Sequence, residues 1–242
     1  MAFPGSIGHG AIDLRKLKLR YYKPWLLSGQ GADVREVVVA HADSHENFHV
    51  MLAENDKMLE QLGIKLRQSM EDFRGNPVIR QLSDEAQAEE EQWYALRSQR
   101  SGKWSRVCIT SLQGHGKAMI KWIDRGRTDI KPIQELYPLH PDYALLPSLV
   151  LQCRLDDLPP DSVRDTEDLT VLRRLMIPPG SHTTTTPPRF KCEFRTADEP
   201  CAVRLVDLAH GRFLSDAFLR HQSQRNLWKN SNSCSPTAEG DS

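Results

Sequence analysis

The sequence carries no excess charge of either sign. Its 32 Lys and Arg are matched by 32 Asp and Glu over 242 residues, which excludes a general basic coat for nucleic acid and leaves only local patches. No apolar run approaches the roughly 18 residues of a bilayer span, so no membrane segment is expected. The five cysteines (Cys108, Cys153, Cys192, Cys201 and Cys234) are odd in number and scattered, with no C-x-x-C pair. That spacing speaks against a zinc knuckle and a disulfide framework. Met1 to Gly10 has no positive segment ahead of an apolar core, so the expectation is an intracellular chain with reduced thiols. Catalytic signatures are scarce as well. G-x-S-x-G, a P-loop and H-E-x-x-H are absent, and His41, His45, His49, His115 and His140 lack ligand spacing. Neither a metal nor a cofactor is expected. What remains is a 39% apolar content, sufficient for a folded core.

Residues 1–33 read as an arm. Asp13 to Lys23 sets Arg15, Lys16, Lys18, Arg20 and Lys23 against one acid, Asp13, and Tyr21, Tyr22 and Trp25 add apolar surface. Such a segment either contacts RNA phosphates or an acidic partner, or lies solvated along the body. From Val34 the pattern turns to short β-type runs. Glu36 to Ala42 and Asn47 to Leu52 read as a hairpin. Met58, Leu59, Leu62, Leu66, Met70 and Phe73 then recur at steps of three and four, which predicts a long amphipathic helix over 55–73. Asn55 or Asp56 can cap it, and Gly75-Asn76-Pro77 stops it. Asp84 to Glu91, with five acids and no base, reads as a solvated connector.

A second β-rich block follows. Gln92 to Arg97, Lys103 to Thr110, Lys117 to Ile123 and Thr128 to Ile130 read as consecutive strands, joined by turns at Ser101-Gly102 and Gly114-His115-Gly116. Short strands with tight glycine turns predict a small, bent antiparallel barrel. Pro132 to Tyr137 reads as a helical turn and Ser148 to Leu155 as a buried strand. Asp165 to Met176 reads as a short helix and Thr183 to Pro188 as an exposed loop. Arg189 to Arg195 and Ala202 to Asp207 are strand-like, and Gly211 to Phe218 closes the fold. Gln222 to Ser242 is rich in Ser and Asn and reads as disordered.

This order of elements resembles the extended Tudor domain, in which a Tudor barrel is inserted into a staphylococcal-nuclease-like fold of the OB type. Four anchors carry the resemblance over 34–221. The family's W-Y-R-A-x-V strand stands here as Trp104-Ser105-Arg106-Val107-Cys108-Ile109, and its F-x-D-Y-G-N turn as Trp122-Ile123-Asp124-Arg125-Gly126-Arg127. The return segment appears as Leu146-Pro147 through Cys153, Leu155, Leu158 and Pro160, and the late hairpin as Val203, Leu205, Asp207 and Gly211. The implied fold is a β-rich α+β chain: a small bent Tudor β-barrel, core about 92–137, joined by a long helix to the OB-type subdomain.

Trp104 is expected in the core, Gly126 at a positive φ, and Asp124 either receiving turn N–H groups or facing a ligand. The resemblance implies a methylarginine reader, whose cage of about four aromatic walls holds the cation by cation–π attraction. Carried over residue by residue, most of the cage is missing. The first wall falls at Ser98 or Gln99, and the Tyr of W-Y-R is Ser105. Trp122 keeps an aromatic, the Tyr of D-Y-G is Arg125, and the Asn is Arg127. One aromatic face and two rim cations do not select dimethylarginine. The candidate peptide-binding set, Gln99, Ser105, Trp122, Asp124, Arg125 and Arg127, with Arg106 and Lys121 nearby in sequence, is either a surface of changed sign, suited to an acidic peptide, a phosphate or an unmodified backbone, or a degenerate face with binding moved to the domain groove or the termini.

The resemblance therefore implies a non-enzymatic adaptor in germline small-RNA silencing. Its expected partner is a Piwi/Argonaute-family protein or another Tudor protein, met in cytoplasmic perinuclear granules independently of arginine methylation. The rival readings are an RNA-binding OB module and a metal-dependent nuclease using Asp156-Asp157, Asp161, Asp165, Glu167-Asp168 and Asp207. The second requires several carboxylates converging on a cation.

Overall fold

The computed structural model describes residues 33–74, Leu82, 87–99, 101–178, 188–196 and 198–233. The basic arm up to residue 32, the first three residues of the acidic connector, the Thr-rich loop up to residue 187 and residues 234–242 lie outside them.

Eleven strands and four helices are described. In chain order they are β1 Asp33–Ala42, β2 Phe48–Leu52, α1 Asp56–Arg74, β3 Trp93–Arg97, β4 Trp104–Gly114, β5 Lys117–Trp122, β6 Thr128–Pro132 and β7 Leu136–Pro138, then α2 Pro141–Ala144, β8 Val150–Leu155, α3 Thr166–Met176, β9 Phe190–Phe194, β10 Cys201–Asp207, β11 Arg212–Phe213 and α4 Leu214–Ser233.

The strands form two sheets. The first runs β11-β10-β8-β2-β1-β9, and β9 pairs with β10 as well. That last pairing closes five strands into a barrel and removes their free edges. All its pairs are antiparallel except β8 with β10, which are parallel. Alternation along each strand points Val37, Val39, Phe48, Val50, Cys153, Phe190, Phe194, Val203 and Leu205 into the barrel, and Phe218 of α4 plugs it. The second sheet, β6-β5-β4-β3-β7, is the inserted one, and its residues are contiguous in the chain. Tyr94, Leu96, Val107, Ile109, Ile120, Trp122, Ile133 and Leu136 fill it. β4 changes register between Ile109 and Ser111 and again between Leu112 and Gly114, the irregularities that bend a long strand around a small core.

A third apolar cluster joins the two. α1 offers Leu62, Leu66 and Met70, a stripe at steps of four, to Trp104 and Ala95 of the inserted sheet and to Met51 and Val150 of the closed barrel. Trp104 is 4% exposed and meets Tyr137 edge to face, with ring centroids 5.2 Å apart. It is core, as its size predicts.

The structure departs from expectation at two places. The helical turn expected over 132–137 is shorter, spanning Ile133–Glu135; the chain then returns to extended geometry as β7 and pairs with β3. The segment from Gln222, expected to be disordered, continues α4 through Ser233. Polar anchoring substitutes there for apolar burial. Gln222 Nε2 donates to Ser162 O at 2.6 Å and Asp168 Oδ2 at 2.8 Å, and Arg225 bonds Asp165 just ahead of α3 and Glu167 and Asp168 in its first turn, each at 2.7 Å.

Candidate functional site

The segment Trp122 to Arg127 turns the end of β5 back toward β6. Trp122 O accepts from Arg125 N at 3.1 Å and Gly126 N at 2.8 Å, and Trp122 N donates to Arg127 O at 2.9 Å. Gly126 has φ +77°, as expected, and a second reason excludes a side chain: a Cβ there would run into the His49 ring in β2. The tip of this turn therefore seats directly on the closed barrel.

Asp124 faces inward. Its carboxylate takes Arg106 Nε at 2.9 Å and Nη2 at 2.5 Å, and Leu149 N at 3.2 Å. The remaining Arg106 donors reach the carbonyls of Tyr143 (2.8 Å) and Leu146 (2.5 Å) from Nη1 and of Pro147 (2.9 Å) from Nη2. All five guanidinium N–H groups are thus satisfied. Arg106 is fully buried and Asp124 is 4% exposed. The expectation that Arg106 adds to a basic face is corrected: it lies inside, stitching the inserted sheet to the segment that returns to the closed barrel. Of the two roles open to Asp124, the structure shows the structural one.

Trp122 is 2% exposed, and the Arg127 guanidinium lies over its ring with Cζ 4.4 Å from the centroid. Ser105, Trp122, Asp124 and Arg125 line a cavity between α1 and the inserted sheet, together with Trp104 of that sheet and Leu62 of α1; it measures about 10 Å³, room for about one water molecule. Three carried-over cage positions, Ser105, Trp122 and Arg125, thus converge, but around a space that a methylated guanidinium does not fit. Gln99 stands apart, exposed, donating to Glu135 at 2.8 Å.

The electrostatics of the turn are one-sided. Burial above all, then the Arg127 guanidinium, pushes the pKa of Arg125 down, with Asp124 and Asp56 acting in the opposite direction. His49 is lowered to about 4, first by burial and then by Lys121 and His41, so it is neutral near pH 7. Sequence reasoning missed His49. Its signal was only geometric: a glycine at a turn marks a close approach, but not by what.

The acids weighed for metal chemistry have other tasks. Asp165 caps α3, accepting from Glu167 N at 3.0 Å and Asp168 N at 2.9 Å, and is held well below the usual carboxylate range by Arg225 first. Asp157 accepts from Ser215 at 2.6 Å, and Asp207 bonds His210 at 2.6 Å. Among the described residues no group of three or more His, Cys, Asp or Glu is placed to hold a metal ion.

The family model of the Tudor domain matches residues 30–157, more than half of the chain. No curated protein matches the sequence significantly. Among solved structures, the human TDRD1 extended Tudor domain in complex with a symmetrically dimethylated peptide aligns at TM-score 0.62 and 16% identity, over 81% of this chain and 91% of that one. The third extended Tudor domain of mouse TDRD1, in complex with a MILI peptide containing dimethylarginine, aligns at TM-score 0.60 and 20% identity, over 81% and 94%. The Drosophila melanogaster Papi extended Tudor domain, in complex with a Piwi N-terminal peptide, aligns at TM-score 0.65 and 14% identity, over 79% and 98%. These likenesses establish the architecture, a Tudor sheet inserted into a nuclease-like barrel. Tudor domains are protein-interaction modules, and this chain belongs to the Tudor domain family, folded as an extended Tudor domain.

Proposed function

We propose that this protein is a non-enzymatic adaptor that binds a peptide of a Piwi/Argonaute-type protein, or of another granule protein, without dependence on arginine methylation. One observation carries the second half of the statement: the aromatic face at the cage position is occupied by the chain's own Arg127, 4.4 Å from the Trp122 centroid. A guanidinium already sits where a methylated one would stack, and Ser105 and Arg125 supply no further aromatic wall. Three of the structural neighbours are complexes with MILI, Aubergine and Piwi peptides, which supports a partner of that type. The working place of such an adaptor is the small-RNA silencing machinery of cytoplasmic, perinuclear germ granules.

The test is calorimetric titration of the full chain with one Arg-Gly-rich Piwi N-terminal peptide, unmethylated and symmetrically dimethylated. Equal affinity, or preference for the unmethylated form, is expected. A clear preference for the methylated form overturns methylation independence, and no binding of either overturns the Piwi-type partner.

A further inference from the structure

The inserted sheet ends in β7 on one side and β6 on the other. β7 also receives the connector, whose Leu82 N donates to Leu136 O at 3.1 Å. β6 pairs with β5 alone among the described residues. The ladder fixes which groups of β6 face outward. Ile133 N donates to Gly116 O at 2.8 Å just beyond one end of the β5–β6 register, and Trp122 N to Arg127 O at 2.9 Å just beyond the other. Bonded pairs alternate along an antiparallel ladder, so Asp129 and Lys131 turn their backbone groups toward β5, and Thr128, Ile130 and Pro132 turn theirs away. The Ile130 N–H agrees: it meets the Asp129 carboxylate at 3.0 Å instead of β5. Thr128 and Ile130 are exposed, Ile130 by 51%, and Ile130 stands beside half-buried Met119 on the outer face of the sheet.

An open edge is a template for another strand, and its side chains decide which strand fits. Asp129 and Lys131 point to the face opposite Ile130 and hold each other at 3.2 Å. When a second β6 runs antiparallel with Ile130 opposite Ile130, Asp129 of each copy stands opposite Lys131 of the other. Opposite charges in such cross-strand pairs stabilise a sheet, and like charges destabilise it. A slip of two residues either way sets Asp129 against Asp129 or Lys131 against Lys131. A slip of one opposes Ile130 to a residue whose backbone groups face β5. Only the register centred on Ile130 is complementary, and a twofold dimer requires a patch complementary to itself. In that register Ile130 exchanges both its bonds with its counterpart, and Thr128 N–H reaches the Pro132 carbonyl, so the proline has only to accept. The Asp129 carboxylate gives up the Ile130 N–H and gains the ammonium of the second copy.

We infer that this protein self-associates through β6, two copies joining their inserted sheets edge to edge, antiparallel about Ile130, in a twofold dimer. A strand of five residues buries less area than a permanent interface, so the dimer is a dissociating one, with Kd between about 10 μM and 1 mM. It gives the adaptor two peptide-binding modules, and a partner that carries repeated motifs is held more tightly by both than by either.

The experiment is sedimentation equilibrium of the full chain at concentrations from about 1 μM to 1 mM. A monomer–dimer equilibrium with no higher species is expected, and amide exchange at Thr128 and Ile130 slows as the concentration rises. Lys131→Asp sets like charges opposite each other at both ends of the twofold and weakens the dimer about tenfold or more; Asp129→Lys does the same. Asp129→Lys with Lys131→Asp exchanges the two charges, keeps the pair within the strand, and returns the affinity to within about threefold of wild type. Ile130→Pro removes the outward N–H while leaving every β5–β6 bond in place, and abolishes the dimer; the charge variants serve if it does not fold. A monomer throughout the range overturns the inference. So does a dimer that Lys131→Asp leaves unchanged, or a double exchange that associates no better than either single variant.

Discussion

Replacing Arg106 with methionine removes the one buried cation that holds the inserted sheet to the returning chain. The side chain is fully buried, and its loss leaves the Asp124 carboxylate, 4% exposed, with only Leu149 N as donor. It also strips donors from the carbonyls of Tyr143, Leu146 and Pro147. Breaking one side of a buried ion pair costs about 3–5 kcal/mol, a large fraction of the 5–15 kcal/mol that stabilises most folded proteins. For a chain of this size that corresponds to a fall in Tm of roughly 6–20 °C. Urea denaturation followed by tryptophan fluorescence, with Tm by calorimetry, measures it. The double variant Arg106→Met with Asp124→Leu removes the stranded charge but not the stranded carbonyls, so it recovers only part of the loss and stays about 1–3 kcal/mol below wild type. A single-variant loss below about 1 kcal/mol refutes the reasoning, because a buried pair with every donor used cannot be that cheap to break.

Gly126→Ala forces a Cβ toward the His49 ring at φ +77° and is expected to cost about 2–4 kcal/mol by denaturation; in the background of His49→Ala the cost shrinks, and purely additive losses would disprove the contact. His49, at about 4 in the folded state against 6.5 unfolded, takes up its proton more readily once the chain unfolds. Its contribution is full above pH 6.5 and is lost as pH falls toward 4, so Tm falls across that window and falls less steeply in His49→Gln; parallel slopes for the two proteins would contradict this. Arg225→Ala removes the clamp on Asp165, Glu167 and Asp168, and amide exchange over 222–233 is expected to accelerate while the barrel cores stay protected. Trp104→Ala empties the space between α1 and the inserted sheet at a cost of about 3–5 kcal/mol, read by urea denaturation.

Most of the architecture could be read from local signals. Strands bounded by Ser101-Gly102 and Gly114-His115-Gly116 declare themselves because the turn glycines sit at positive φ, +66°, +74° and +72° at positions 102, 114 and 116. The stripe Leu62, Leu66 and Met70 declares α1 by its period. What local signals do not carry is which distant groups neutralise one another. Arg106 and Arg127 are the same residue type, and Arg106 meets its partner Asp124 18 positions away; only the pairing of β4 with β5 buries that pair while Arg127 stays exposed. The same limit hid the end of α4. Gln222 and Arg225 have no apolar pattern, and their partners lie 54 to 60 residues earlier, so composition alone reads them as solvated. At the cage positions the identities were legible, but the stacking of Arg127 back onto Trp122 depends on a turn closed by the Trp122 and Arg127 backbones.

The closed barrel draws β1 and β2 from before the insertion and β8, β9 and β10 from after it. During synthesis the first hairpin therefore leaves the ribosome roughly a hundred residues ahead of β8, which at about 5–20 residues per second is a wait of about 5–20 seconds. Through that interval Phe48 and Val50 have no barrel to enter. The inserted sheet, contiguous from β3 to β7, has all its strands by the time β7 emerges and can fold first. Newly made chains stalled between Pro138 and Val150 should thus present a finished Tudor sheet beside a hairpin whose apolar face is still uncovered.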